Sequence, residues 1–210
     1  MTLAPLLLAL ALPLHAATVD EWTLGGFSEP DTRVYPASEF SAAAIPGARS
    51  LRLEVLLVRP SAWTHEAVLG ELRAAAKALA SCGIALGPVE LTAARTPVGR
   101  DAWARHKMEG EDTVAALRAA APLRGAAVLL TGPYTDEPET AGFSFAEWMN
   151  GSDLHPGLYD TIFLSDFMLT QAYRDERAAS PYTLLAHELL HVILREGRHV
   201  YGREKHLMNA

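Results

Sequence analysis

The chain has 210 residues, the length of one domain, and it can bury a substantial hydrophobic core. Half of its residues are hydrophobic and 20% are charged, a composition that is ordinary for a soluble globular protein. The formal net charge is -7 and no run of Lys and Arg forms a basic patch, so nucleic acid is not an expected partner. The single cysteine, Cys82, excludes an internal disulfide and a cysteine-rich zinc site, and we expect it to be a small buried residue.

The first residues of the chain are typical of a secretory signal peptide. Leu3 to Leu14 is an uncharged apolar run, shorter than the roughly 20 residues that a membrane-spanning helix needs. The run ends in Leu14-His15-Ala16-Ala17, whose alanines are typical of a signal-peptide cleavage site. No Lys or Arg follows Met1, and the alternative is a buried apolar N-terminal helix. We predict a signal peptide over residues 1–17, and therefore a secreted or periplasmic protein with no stable membrane insertion.

Hydrophobic patterning indicates where the regular structure of the remaining chain begins. Residues 18–48 are rich in Pro, Gly, Ser and Ala with few periodic apolar positions, and we predict that they form an irregular N-terminal segment. Residues 49–210 are the predicted folded domain. Its strands are predicted from apolar and alternating runs at 49–58, 84–91 with a break at Gly87-Pro88, 126–132, 142–148 as an edge strand, and 160–167.

Helices are predicted between these strands and at the end of the chain. Apolar positions at helical spacing predict helices at 62–81 and 109–121. A last helix is predicted to start near Ser180-Pro181, an N-cap residue followed by proline, and to end at Gly197. This order of elements predicts an α+β fold in which a few helices pack on a mixed sheet.

The last predicted helix carries the pattern His187-Glu188-Leu189-Leu190-His191. Residues four apart on a helix differ by about 40° in direction and about 6 Å in height, so both histidines point to one side and can hold one ion. Glu188 lies at the margin of that face, where its carboxylate can contact a water on the metal rather than the metal itself. The alternative is a solvated helix face with incidental histidines, but the apolar surroundings make unpartnered charge costly there. We therefore predict one Zn²⁺ per chain, with Glu188 as general base.

A third metal ligand has to come from the short segment that follows the helix. The candidate side chains are Glu196, His199, Glu204 and His206. From His191 to a helix end at Gly197 the chain would rise about 9 Å, and two further residues can turn back by up to about 7 Å. His199 can therefore close the site, and we favour it as the third ligand. His206 can also reach through a longer loop and remains the alternative.

The stretch "HELLHVILREGRH" followed by "HLMN" resembles the zinc peptidases called metzincins. That resemblance implies the metal ligands His187, His191 and His199, the general base Glu188, and Met208 in a tight turn beneath the metal. It also implies an α+β, zincin-like fold, with a mixed twisted sheet and the active-site helix near the C-terminus. The family's segment after the third histidine is nearly absent here, so we expect a truncated C-terminal subdomain. The strand at 142–148 would match the edge strand that pairs with substrate in this family.

The resemblance at the level of residues extends from about Thr183 to Met208, and the spacing differs from the family's. The usual pattern H-E-x-x-H-x-x-G-x-x-H would place glycine at 194 and histidine at 197, where this chain has Leu194 and Gly197. This difference concerns the third ligand more than the first two. Met208 has the alternative interpretation of an apolar residue that only fills space at the C-terminus.

Three functions are compatible with these residues. The first is a secreted or periplasmic zinc-dependent peptidase, which hydrolyses peptide or protein substrates by a metal-activated water with Glu188 as general base. The second is a non-catalytic zinc-binding protein, or a pseudo-peptidase, that binds a partner in the cleft. The third is the amidase-type hydrolysis of a cell-wall peptide by the same zinc chemistry. Glu188 favours the first over the second, since a structural zinc site needs no carboxylate at this position and normally has four protein ligands.

Overall fold

The computed structural model describes residues 28–40, 47–59, 61–95, 126–134, 137–145, 159–177 and 183–195. The described strands form one six-stranded mixed sheet with helices packed on it, which confirms the α+β class. The strands are β1 (Ser28–Tyr35), β2 (Arg49–Arg59), β3 (Ile84–Arg95), β4 (Ala126–Thr131), β5 (Gly142–Phe145) and β6 (Thr161–Ser165). Within the described ranges, no helix is long and apolar enough to cross a membrane.

The order of the strands in this sheet is β1-β3-β2-β4-β6-β5. The four inner strands β3, β2, β4 and β6 are parallel, whereas β1 and β5 run antiparallel at the two edges of the sheet that the described strands form. β4 and β6 are buried along their whole length. Their near-continuous apolar sequences suit parallel strands that are covered on both faces.

The described helices are α1 (His65–Ala80), α2 (Gln171–Arg177) and α3 (Leu184–Leu194), with short 3₁₀ turns at Ala37–Glu39 and Asp166–Leu169. α1 connects the parallel strands β2 and β3. The Thr64 side chain caps its first turn by accepting a hydrogen bond from the Ala67 N–H at 3.1 Å. The predicted apolar stripe of α1 is buried, with side chains from Val68, Leu72, Ala75, Ala76 and Leu79.

One face of the sheet and the two helices α1 and α3 enclose the main core. Leu53 and Leu57 of β2, Leu72 of α1, Ile162 of β6 and Leu189 of α3 are among its fully buried members. Each fully buried side chain of this size contributes about 1.5–3 kcal/mol of hydrophobic free energy. This burial holds α3 against β5 and β6, so the helix that carries the predicted site has a fixed position on the sheet.

Three predictions differ from the structure upstream of the site. The segment predicted to be irregular contains β1, which pairs with β3 through the backbone; its Tyr35 packs against the core, whereas its Val34 is 66% exposed. The predicted break at Gly87-Pro88 is a bulge, because β3 has one extra residue there opposite β2. Cys82, which we expected to be buried, is exposed just after α1. The predicted signal peptide (1–17) and the predicted helix 109–121 lie outside the described residues.

Candidate metal centre

Helix α3 begins and ends at other residues than the sequence predicted. Thr183 is the N-cap, and its hydroxyl accepts a hydrogen bond from the Ala186 N–H at 3.2 Å. The helix ends at Leu194, since Arg195 adopts a left-handed backbone conformation with φ 51° and ψ 40°. The start near Ser180-Pro181 and the end at Gly197 were therefore wrong. A left-handed non-glycine residue costs roughly 1–2 kcal/mol, which is why glycine was the expected stop.

The two predicted histidine ligands meet on one side of α3. The Nε2 atoms of His187 and His191 are 3.1 Å apart, and the two rings are nearly perpendicular with centroids 4.7 Å apart. Both side chains are buried, with 6% and 3% of their surface exposed. Two imidazole nitrogens at this distance need a proton or a cation between them, because their lone pairs would otherwise face each other at close range.

The geometry of this pair fits a zinc ion. Two nitrogens that are 3.1 Å apart and each about 2.05 Å from zinc would subtend about 98° at the ion, near the tetrahedral value of about 109°. The i, i+4 spacing and the burial of both rings fix this separation, so the helix itself preorganises the two candidate ligands. A hydrogen bond between the rings, with one of them protonated on Nε2, accounts for the same distance without a metal.

Glu188 lies beside the histidine pair and contacts the edge strand β5. Its Oε2 accepts a hydrogen bond from the Ser144 hydroxyl at 2.6 Å, and both side chains are buried. A distance of 2.6 Å is in the range of charge-assisted O–H···O⁻ bonds. This bond ties the carboxylate of Glu188, the residue that follows His187, to the edge strand β5. Sequence reasoning missed Ser144, although the alternation in Gly142–Phe145 places one polar residue between two phenylalanines on the opposite face.

The edge strand β5 lies in direct contact with α3. A Cβ atom on Gly142 would be 2.9 Å from Leu184 Cδ2 on the helix and 2.7 Å from Leu164 Cδ2 on β6. Glycine is therefore required for the close approach of strand and helix. On the other face of the sheet, Phe143 stacks on its cross-strand partner Phe163, with ring centroids 4.8 Å apart and an interplanar angle of 11°.

Tyr134 follows β4, and its ring packs on the ring of Phe143 with the two centroids 5.5 Å apart. Its side chain is buried, and burial raises the pKa of its hydroxyl, with a further increase from the negative charge of Glu188. Tyr134 therefore stays neutral. The nearby Thr131 hydroxyl donates to the Gly132 carbonyl oxygen at 3.0 Å.

Glu71 of α1 supports the start of α3 from below. Its Oε1 accepts a hydrogen bond from the Leu185 N–H at 3.2 Å, and the Thr183 side chain also bonds to it. Burial raises the pKa of Glu71, and these two hydrogen bonds partly oppose that increase. Glu71 and Thr183 together satisfy two of the N–H groups that a helix leaves without partners in its first turn.

The remaining predicted site residues, His199, His206 and Met208, lie outside the described residues. Among the residues that the structure does describe, no group of three or more His, Cys, Asp or Glu side chains is arranged to hold a metal ion. The described part of the site thus consists of two candidate ligands, His187 and His191, and the carboxylate of Glu188. The identity of the third ligand stays a prediction.

Comparison with known proteins adds no assignment to this picture. No protein-family model matches the chain, and no curated protein sequence matches it. The class of protein is therefore inferred from the fold and from the site itself.

Proposed function

We propose that the protein is a zinc-dependent peptidase of the metzincin type, which hydrolyses peptide bonds in peptide or protein substrates. The observation that carries this proposal is the buried pair of His187 and His191, whose Nε2 atoms converge to 3.1 Å, on a helix whose intervening Glu188 is also buried. A metal centre explains why an apolar helix buries two imidazoles and a carboxylate within five residues.

The surrounding fold gives further support to the proposed class. An antiparallel edge strand, β5, lies against α3 next to Glu188, in the place where the resemblance expects the strand that pairs with an extended substrate. The left-handed turn at Arg195 directly follows position 194, where the family's spacing expects the helix-stopping glycine. The helix therefore ends at the position that the metzincin spacing gives for its glycine, although the glycine of this chain is at position 197.

In the proposed reaction, His187 and His191 would hold one zinc ion through Nε2, and His199 would be the third ligand, with His206 as the alternative. Bound zinc would supply Lewis acidity, which polarises the substrate carbonyl and lowers the pKa of a bound water to about 7. Glu188 accepts a proton from the water that attacks the carbonyl carbon. It then donates this proton to the leaving amine as the C–N bond breaks, so the carboxylate is regenerated. Met208 would lie beneath the metal.

The test separates metal binding from catalysis by two kinds of substitution. Purified mature protein is expected to hold about one zinc per chain, and His187→Ala or His191→Ala to abolish it. Glu188→Gln keeps size and helix but removes the base, so zinc content stays near wild type while hydrolysis of a peptide library falls by roughly 10²–10⁴-fold. Glu139→Gln, on an exposed loop, is the matched control and is expected to leave both unchanged.

Different results of this experiment contradict different parts of the proposal. Absence of zinc in protein that has never met a chelator would refute the metal centre. Zinc with full hydrolysis in Glu188→Gln would refute the general base. Zinc without any hydrolysis in the wild type would favour the non-catalytic zinc-binding protein.

The third ligand and the compartment have their own tests. His199→Ala is expected to weaken zinc retention more than His206→Ala, and the reverse order would exchange their roles and weaken the metzincin resemblance. For the compartment, we propose export, with mature protein that begins near Ala17. N-terminal sequencing of secreted or periplasmic protein measures this, and an intact Met1 on exported protein would contradict cleavage.

A further inference from the structure

Ser144 makes the shortest described hydrogen bond at the candidate site. Its hydroxyl donates to Glu188 Oε2 at 2.6 Å, and the two residues are 4% and 6% exposed. They are 44 positions apart in the sequence, one on the edge strand β5 and the other on helix α3. The contact therefore joins the helix to the strand directly at the proposed general base.

The strand that carries Ser144 is held on both of its faces. On the helix side, Gly142 allows β5 to approach Leu184 so closely that a Cβ would be 2.9 Å from its side chain. On the other side, Phe143 stacks on Phe163 of β6. Ser144 directly follows Phe143 on the strand, lies on the same face as Gly142 and has a single side-chain torsion before its hydroxyl. Its oxygen therefore has little freedom to move relative to α3.

A glutamate carboxylate, by contrast, rotates easily about its last torsion. This torsion joins sp³ and sp² carbons and has a broad distribution without sharp staggered minima. A hydrogen bond of 2.6 Å to a fixed hydroxyl restricts that rotation, because turning the carboxylate would lengthen the bond. General-base catalysis requires the base to lie within hydrogen-bond reach of the proton that it removes, so such a restriction affects the rate.

We infer that Ser144 is a positioning residue, which holds the carboxylate of Glu188 in the orientation that proton transfer requires. The inference rests on the proposed peptidase function. It assigns to the edge strand a second role besides the expected pairing with substrate, since the same four-residue strand fixes the base. Substrate alignment and base alignment then share one rigid element.

The first test needs no catalytic activity. Ser144→Ala is expected to keep about one zinc per chain and to lower the melting temperature by about 2–12 °C, as the loss of a partner of a buried carboxylate does in a protein of this size. In a Glu188→Ala background the same substitution is expected to lower it much less. An equal decrease in both backgrounds would overturn the inference, because Ser144 would then act on the fold independently of Glu188.

The second test compares variants that differ by the hydroxyl alone. Ser144→Thr keeps the hydroxyl, and Ser144→Val has the same branched shape without it. With a quenched peptide selected from the library digest, kcat is expected to fall roughly 10-fold in the Val and Ala variants. The Thr variant should stay within about threefold of wild type, with KM changed less than about twofold in all three.

The outcomes distinguish this inference from the proposed function. Val and Ala variants with wild-type kcat, while Glu188→Gln is inactive, would overturn the role of Ser144 and leave the peptidase proposal intact. A Thr variant as slow as Val, or variants that lose zinc or raise KM instead of lowering kcat, would assign Ser144 to structure and overturn the inference. A zinc-loaded wild type that cleaves nothing in the library would overturn the peptidase proposal, and the positioning role with it.

Discussion

The hydrogen bonds from the start of α3 to Glu71 hold the site-bearing helix in place, and their contribution to the stability of the fold can be predicted. Glu71 accepts from the Leu185 N–H at 3.2 Å and from the Thr183 side chain, while Thr183 caps Ala186. Glu71→Met keeps the volume and removes the acceptor. A buried donor without a partner costs about 1–3 kcal/mol, which corresponds to a decrease of about 2–12 °C in melting temperature for a protein of this length.

Glu71→Gln separates the hydrogen bonds from the charge. The amide oxygen of glutamine can still accept from the Leu185 N–H, so the first turn of α3 stays capped. The pKa of Glu71 is raised from its ordinary value of 4.5, chiefly by burial, which means that the folded protein binds this proton more tightly than the unfolded chain. Stability from this carboxyl is then fully present below pH about 4.5 and is lost as the pH rises through the higher pKa of the folded state.

The sign of the expected pH dependence follows directly. Wild type and Glu71→Gln should be similar in stability near pH 4, and the Gln variant should gain relative to wild type as the pH rises to 7. Urea unfolding of the two proteins at several pH values, at one fixed zinc concentration, measures this difference. A difference that is constant with pH, or that favours wild type increasingly toward neutrality, would refute the reasoning about burial. A Met variant as stable as Gln would refute the role of the hydrogen bonds.

Two further predictions concern the edge strand and the metal. Gly142→Ala places a Cβ within 2.7–2.9 Å of Leu164, Leu184 and Phe163 atoms. We therefore expect the free energy of unfolding, measured in urea, to fall by about 1–3 kcal/mol. Gly70→Ala, in α1 with open space around it, is the control, and its free energy of unfolding should rise by about 0.5–1 kcal/mol. A Gly142 variant as stable as its parent would show that β5 is not packed so tightly on α3. Zinc at 100 times its dissociation constant should raise the free energy of unfolding by about 2.7 kcal/mol over chelated protein, and the same addition to His187→Ala should give no increase.

The elements that hydrophobic patterning predicted well are those whose stability comes from burial. The apolar stripe of α1 and the apolar strands β4 and β6 are buried in the core. The helical spacing of the stripe and the continuous apolar runs of the two strands indicate this burial in the sequence. The edge position of β5 was also predicted from its alternation. By contrast, β1 is a strand because its backbone pairs with β3, and its polar sequence with an exposed Val34 gives no such indication.

The candidate site could be predicted where its chemistry is local in sequence. His187, Glu188 and His191 belong to one helical turn and a half, so their mutual arrangement follows from helix geometry, and the 3.1 Å approach of the two Nε2 atoms agrees with it. The ends of α3 depended instead on a choice between several capping residues. Thr183 and not Ser180 is the N-cap, and Glu71 also binds the first turn there. Glu71 lies far from α3 in the sequence, so the local sequence around the helix does not reveal this contact.

The contacts by which other elements hold α3 in position could not be predicted from the sequence. Glu71 acts from α1, at the start of the helix. Ser144 acts from β5, at the carboxylate beside the first histidine. Gly142 permits the approach on which the Ser144 bond depends, because a larger residue there would push the strand away from Leu184 and lengthen that bond. In the proposed peptidase, the helix would supply the reactive groups, and residues far away in the sequence would determine their position relative to a substrate on the edge strand. Substitutions at Gly142 and Ser144 are accordingly expected to affect the rate of hydrolysis through the same carboxylate, and their combined effect should be smaller than the product of the separate effects.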